Sequence, residues 1–114
     1  LSAAPDWSKL NPPLEARAMG FCEKCGTEMV SGGDVRHHRK LRSQGGRHTL
    51  DNLVLICQAC HTWIHANPGD AYALGWLVNS WNEPHEIPII HSTHGKITLC
   101  PWGGVHKFME LEDD

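Results

Sequence analysis

The chain has 114 residues, 40% of them hydrophobic and 20% charged, a composition that suits one globular domain with a modest core and excludes a disordered or fibrous chain. No apolar run approaches the roughly 20 residues that cross a bilayer and no signal peptide is visible, so no membrane partner is expected and the expected compartment is the cytoplasm. The net charge of −3 argues against a surface coated in phosphate-binding groups.

In chain order, residues 1–20 read as an N-terminal arm and a short helix. Residues 1–13, rich in proline and small side chains, are expected to be extended. Leu14–Met19 follows two prolines, a helix-start signal, and should end at Gly20. Residues 21–68 hold the densest pattern. Phe21–Gly26 reads as a zinc knuckle, its glycine easing the tight turn. Val35–Leu41 is an expected strand, followed by a long loop turning at Gly45-Gly46. The continuous apolar run Leu53–Ile56 is an expected buried strand, and Cys57–Ala66 an expected helix that stops before Asn67-Pro68-Gly69. In the extension, residues 69–114, the apolar pattern of Ala71–Trp81 leaves its type open. Ile87–Ile90 and Lys96–Leu99 flank a His94-Gly95 turn and predict a hairpin.

The cysteines carry the first chemical signal. Cys22 and Cys25 form one C-x-x-C and Cys57 and Cys60 a second, the spacing of a four-thiolate structural zinc site, because each pair grips one edge of a tetrahedron. A thioredoxin-like redox motif would need a βαβ context that neither pair has. Cys100 is left as a plain thiol.

Charge is unevenly distributed. Five of the ten Lys and Arg, namely Arg36, Arg39, Lys40, Arg42 and Arg47, fall in one stretch without an acidic residue. Acidic groups collect elsewhere, including Glu110, Glu112, Asp113 and Asp114. One basic patch on an acidic body suits a protein that presents a single face to a polyanion, and these five side chains are candidate phosphate contacts. Asp34 and Asp51 are expected to cap turns, His48 to be a solvated loop residue, and the five tryptophans to serve the core rather than stack on bases.

Histidines gather in the same region. His61 and His65, four apart on the expected helix, share a face and can hold one metal. They need a third ligand, and either His37 or His38 on the neighbouring strand can supply it.

The stretch from Val35 to His65, with His37-His38, Gly45-Gly46, Asn52-Leu53, Cys60-His61 and His65, resembles the HNH nuclease motif, also called the ββα-metal finger. The resemblance implies a small α+β fold, with a ββα-metal core beside the four-cysteine zinc and a C-terminal β-hairpin. It implies that His37, His61 and His65 bind a catalytic divalent metal, that His38 is the general base, and that Asn52 bonds across the loop to orient His38. A histidine near its ordinary pKa of about 6.5 suits the base, and the metal would polarise the scissile phosphate. Three neutral nitrogens favour zinc, nickel or manganese over magnesium, whereas many relatives use magnesium, so the metal is one of Mg2+, Mn2+, Ni2+ or Zn2+. Adjacent residues of a flat strand face opposite ways, so a twist or bulge is expected at His37-His38, or a phosphate lying across the strand end. The implied function is cleavage of double-stranded DNA by a compact, phage-type enzyme linked to packaging proteins; the oligomeric state is left open. The alternative is a non-catalytic zinc-finger DNA-binding module, which leaves the histidine set without a role.

Overall fold

A computed structural model describes residues 5–30 and 32–107; residues 1–4, Ser31 and residues 108–114, with the acidic tail, lie outside the described residues. Its centre is an antiparallel pair, β1 (Asp34–His38) and β2 (Leu53–Cys57), followed at once by helix α2 (Gln58–Ala66). All of Leu53, Val54, Leu55 and Ile56 are buried because β2 has a layer on each face. Leu53 and Leu55 pack against Leu14 and Ala18 of α1 (Trp7–Ala18), while Val54 and Ile56 pack with Cys60 and Ile64 of α2. Two buried faces turn the usual alternation of a strand into an unbroken apolar run. Helix α2 stops where expected: the residue before a proline is pushed out of helical backbone, and Asn67 sits at φ −131° and ψ 59°.

Three expectations need correction. Helix α1 begins seven residues earlier than Leu14, at Trp7, and carries Pro12 and Pro13 inside it. Each proline removes an internal donor. Other contacts hold the first turn: Asp6 caps Ser8 N at 3.1 Å, Arg36 lies 4.5 Å over the Trp7 ring and its Nε donates to Asn11 Oδ1 at 2.8 Å. Strand β1 ends at His38 rather than Leu41, because beyond it Asn52 takes over the pairing. Its backbone carbonyl accepts from Arg39 N at 2.8 Å and its side-chain oxygen from Lys40 N at 2.7 Å. The pairing runs in uninterrupted register from Asp34↔Cys57 to His38↔Leu53, so the bulge is not formed.

The extension is more regular than its sequence suggested. A short helix α3 (Pro68–Ala73) leads into the buried Trp76, Leu77 and Val78. The predicted hairpin forms as β3 (Ile89–His91) and β4 (Gly95–Leu99), and β5 (Val105–Lys107) adds a third antiparallel strand. Ile89, Ile97 and Leu99 join the same apolar cluster as Val54 and Ile64, which ties this sheet to the ββα core.

Candidate metal centres and catalytic site

Cys22, Cys25, Cys57 and Cys60 offer four sulfurs that all lie within 4.8 Å of one another. The Cys25 and Cys57 sulfurs are 3.8 Å apart. A disulfide needs about 2.05 Å, whereas two thiolates at about 2.3 Å from one tetrahedral zinc stand about 3.8 Å apart. The knuckle closes as Gly26, at φ +79°, donates its N–H to Cys22 O at 2.9 Å. Burial opposes ionisation of Cys22, but N–H groups of Cys25 and Cys57 at 3.4 and 3.3 Å from its sulfur bring its pKa below the ordinary thiol value. Burial raises Cys25 and Cys60, and neighbouring thiols raise Cys60 further. Four such sulfurs can ionise together only around a cation, so the donor set fits zinc.

The second cluster joins β1 to α2. Nitrogens of His37, His61 and His65 also lie within 4.8 Å of one another. His61 Nε2 and His65 Nε2 are 3.1 Å apart, close to the about 3.3 Å separating two nitrogens on one tetrahedral zinc. His37 is buried, and its Nε2 donates to the Trp76 carbonyl at 2.8 Å. A carbonyl only accepts, so Nε2 carries the proton and Nδ1 keeps a lone pair for a metal. Burial first, then the other histidines, lowers the His37 pKa to about 4, which keeps the ring neutral and able to ligate at neutral pH.

His38, next along β1, turns to the opposite face. Its Nε2 lies 2.9 Å from Nδ1 of His48. The expectation of a solvated His48 is therefore corrected: it is half-buried, paired with His38, and set edge-on to Trp7 at 6.0 Å. Burial, then the positive neighbours His48 and Arg42, lowers the His38 pKa.

Asn52 is fully buried. Besides accepting from Lys40 N, its amide donates to the carbonyls of Lys40 at 3.1 Å and Arg47 at 3.0 Å. It thus clamps the loop between the strands and reaches His38 only through the backbone. Gly46 closes the same loop; a Cβ there would stand 1.8 Å from Lys40 O.

The five basic candidates separate. Arg36, Arg42 and Arg47 are exposed. Arg39 and Lys40 are not, and as phosphate contacts they are corrected. Arg39, 0% exposed, donates to the carbonyls of Asp51, Gly75, Pro84 and Ile87. Burial lowers its pKa to about 9, which leaves it charged at neutral pH. Lys40 Nζ donates to Asn82 O at 3.0 Å. Asp51 makes no capping bond among the described residues; its Oδ1 is buried without a partner.

A buried ionic cluster had no signature in the sequence. Glu23, inside the first knuckle, accepts from Arg17 Nε at 2.6 Å, His91 Nε2 at 2.9 Å and Leu55 N at 2.8 Å. These donors overcome the upward push of burial and hold its pKa below the ordinary carboxylate value. A glutamate between two knuckle cysteines reads as a surface charge until the helix and hairpin that enclose it are known.

Residues 22–67 match the family model described as HNH endonuclease. No curated protein and no solved structure matches the chain.

Proposed function

We propose that this chain, whose residues 22–67 match the HNH endonuclease family model, is a metal-dependent endonuclease that hydrolyses DNA phosphodiester bonds. The family implies nuclease activity on nucleic acid and a divalent metal; substrate, residue roles and biological setting are our reading. One observation carries it: three histidine nitrogens converge within 4.8 Å at the strand position adjacent to a fourth histidine held by a partner of its own.

In this reading His38 Nε2–H donates to His48, and the other ring nitrogen takes the proton from water as its oxygen attacks phosphorus and the bond to the leaving oxygen breaks. His37, His61 and His65 hold the divalent ion, which supplies positive charge to the scissile phosphate and the leaving oxygen. Because His37 and His38 point to opposite faces of a regular strand, the phosphate lies across the strand end, where both faces are reachable. Asn52 keeps the loop, and with it the end of β1, in place. The exposed Arg36, Arg42 and Arg47 meet flanking phosphates. Cys22, Cys25, Cys57 and Cys60 hold structural zinc, which sets the start of α2 and so the positions of His61 and His65. We extend the reading to one domain over residues 1–114, and to a phage-encoded enzyme acting on double-stranded DNA in the host cytoplasm beside packaging proteins, on its resemblance to compact HNH proteins of that kind. Among the described residues no helix is long and apolar enough to cross a membrane.

Supercoiled plasmid incubated with the protein and Mg2+, Mn2+, Ni2+ or Zn2+ tests the proposal. Relaxed or linear product with at least one metal, abolished by chelator, is the expected result. Tight DNA binding without cleavage under every metal would favour the zinc-finger binding module instead.

A further inference from the structure

We infer that the cavity beside Trp102, in the turn between β4 and β5, is a stacking site for an unpaired base of a nucleic-acid strand. This rests on the nuclease reading only in taking the ligand to be nucleic acid. Trp102, a core residue by expectation, is 73% exposed. An exposed aromatic ring alone needs no explanation; one that borders an apolar cavity marks a binding surface. The ring is also held in place. Its turn is closed by Cys100 N donating to Gly104 O at 2.9 Å and Gly103 N donating to Cys100 O at 3.0 Å. Gly104 gives the indole a seat, since a Cβ there would stand 3.0 Å from Trp102 Nε1.

The cavity measures about 370 Å³, within the range of about 300–1,000 Å³ typical of small-molecule sites. Leu99, Cys100, Pro101 and Trp102 give it apolar walls, His85 and His106 add two more rings, and none of the described residues lining it is acidic. Such walls suit a planar ring, and Trp102 supplies the surface on which it stacks. Two observations assign that ring to a nucleic-acid strand rather than to another protein. The first is the match of residues 22–67 to a family that acts on nucleic acid. The second is position. The cavity shares His85 and Pro101 with a neighbouring cavity lined by the exposed Arg47, and a Cβ on Gly103 would stand 3.1 Å from Leu50 Cδ1. Only two residues separate Leu50 from His48, at most about 7 Å of chain. A strand that passes His38 and meets Arg47 therefore reaches Trp102 within a few nucleotides. A paired base hides both faces in its stack, so the site receives only a single-stranded or flipped base. It reads no sequence, because every base has a face to stack.

The test compares fluorescent oligothymidylate and oligoadenylate single strands of about eight nucleotides, an ordinary site size for aromatic strand binders, with a blunt-ended duplex, all bound in calcium to block cutting. Trp102→Ala, at an exposed position where substitution leaves the fold in place, should weaken binding of both single strands about 5-fold or more. Trp102→Phe keeps a ring to stack on and should stay within about 3-fold of wild type. The blunt duplex should change by less than about 2-fold in either variant. Single-strand affinity of Trp102→Ala within about 2-fold of wild type overturns the assignment. So does a phenylalanine variant as weak as the alanine one, an equal loss on the blunt duplex, or a wild type that binds no single strand; each leaves the exposed ring to a protein partner. A loss confined to unpaired strands and restored by phenylalanine supports it even if the plasmid assay shows no cleavage, an outcome that would count against the nuclease reading alone.

Discussion

His38 and His37 differ by one position and by an entire environment. His37 turns inward to a carbonyl and two histidines; His38 turns outward to His48. His38→Ala should therefore cut plasmid about 10²–10⁴-fold more slowly, while chelatable metal, measured by atomic emission, stays at wild-type content. Activity within a few-fold of wild type would pass the base's role to His48. Basic residues divide in the same way. Replacing exposed Arg42 and Arg47 together with alanine should lower the salt slope of DNA binding by about two, one for each phosphate left without its arginine. Arg39→Met should instead lower the thermal midpoint and leave the slope of the folded fraction unchanged, because it orphans four carbonyls, three of them in buried hydrogen bonds. A slope unmoved by the double variant would place the DNA path elsewhere.

At the scale of elements, the second cysteine pair and the helix that bears His61 and His65 are one piece. Cys57 precedes α2, Cys60 lies in its first turn, and His61 follows directly. Zinc bound by the pair would also set the rotation of the helix, and so the direction in which His61 and His65 point. Cys25→Ser should thus remove structure as well as rate: zinc–thiolate binding supplies on the order of 10 kcal/mol to folding, more than a small core can spare. Circular dichroism and zinc content read the result, and a folded, active Cys25→Ser protein would refute the structural role. Cys100→Ser should change neither. The clamp made by Asn52 is an element property too: the resemblance implied that Asn52 bonds across the loop, but the carbonyls it bonds became known only with the loop closed over Gly46.

Across the whole molecule, two buried cations do the joining. Arg17 of α1 meets Glu23 of the knuckle and the carbonyls of Leu50 and Leu53, while His91 of β3 reaches the same carboxylate. Arg39, just past β1, draws in carbonyls from residues 51, 75, 84 and 87. Removing one partner of a buried pair costs about 3–5 kcal/mol, so Glu23→Gln should lower stability by that order, as read by denaturant unfolding in the presence of zinc. The pH dependence follows from the sign of the shift. The Glu23 pKa is held below the ordinary value of 4.5, so its stabilisation is complete above that value and drains away as pH falls through the lower, folded-state value. The Gln variant should lack this acid-side component. Equal acid unfolding of the two proteins would show that the cluster adds no net stability.

Local spacing was enough to recover the paired cysteines, the helix with His61 and His65 on one face, the strand Leu53–Ile56 and the β3–β4 hairpin, because each is set by repeat distances within a few residues. It was also enough to group His37, His38 and Asn52 by resemblance. Features that depend on distant backbone emerged only once the chain was folded. Arg39 and Lys40 look like surface charges in a basic stretch until carbonyls from the extension arrive to accept their hydrogen bonds; a cation is buried only where such acceptors converge. His48 has no local signature and acquires its partner when the loop folds back. Helix α1 crosses its two prolines because Trp7 and Asn11 find Arg36, a contact between residues 25 positions apart. Even β1 ends early for a nonlocal reason, since the Asn52 side chain takes the next backbone donor. Short-range periodicity carries no information about a partner supplied from far along the chain, and those partners place each charge inside or outside.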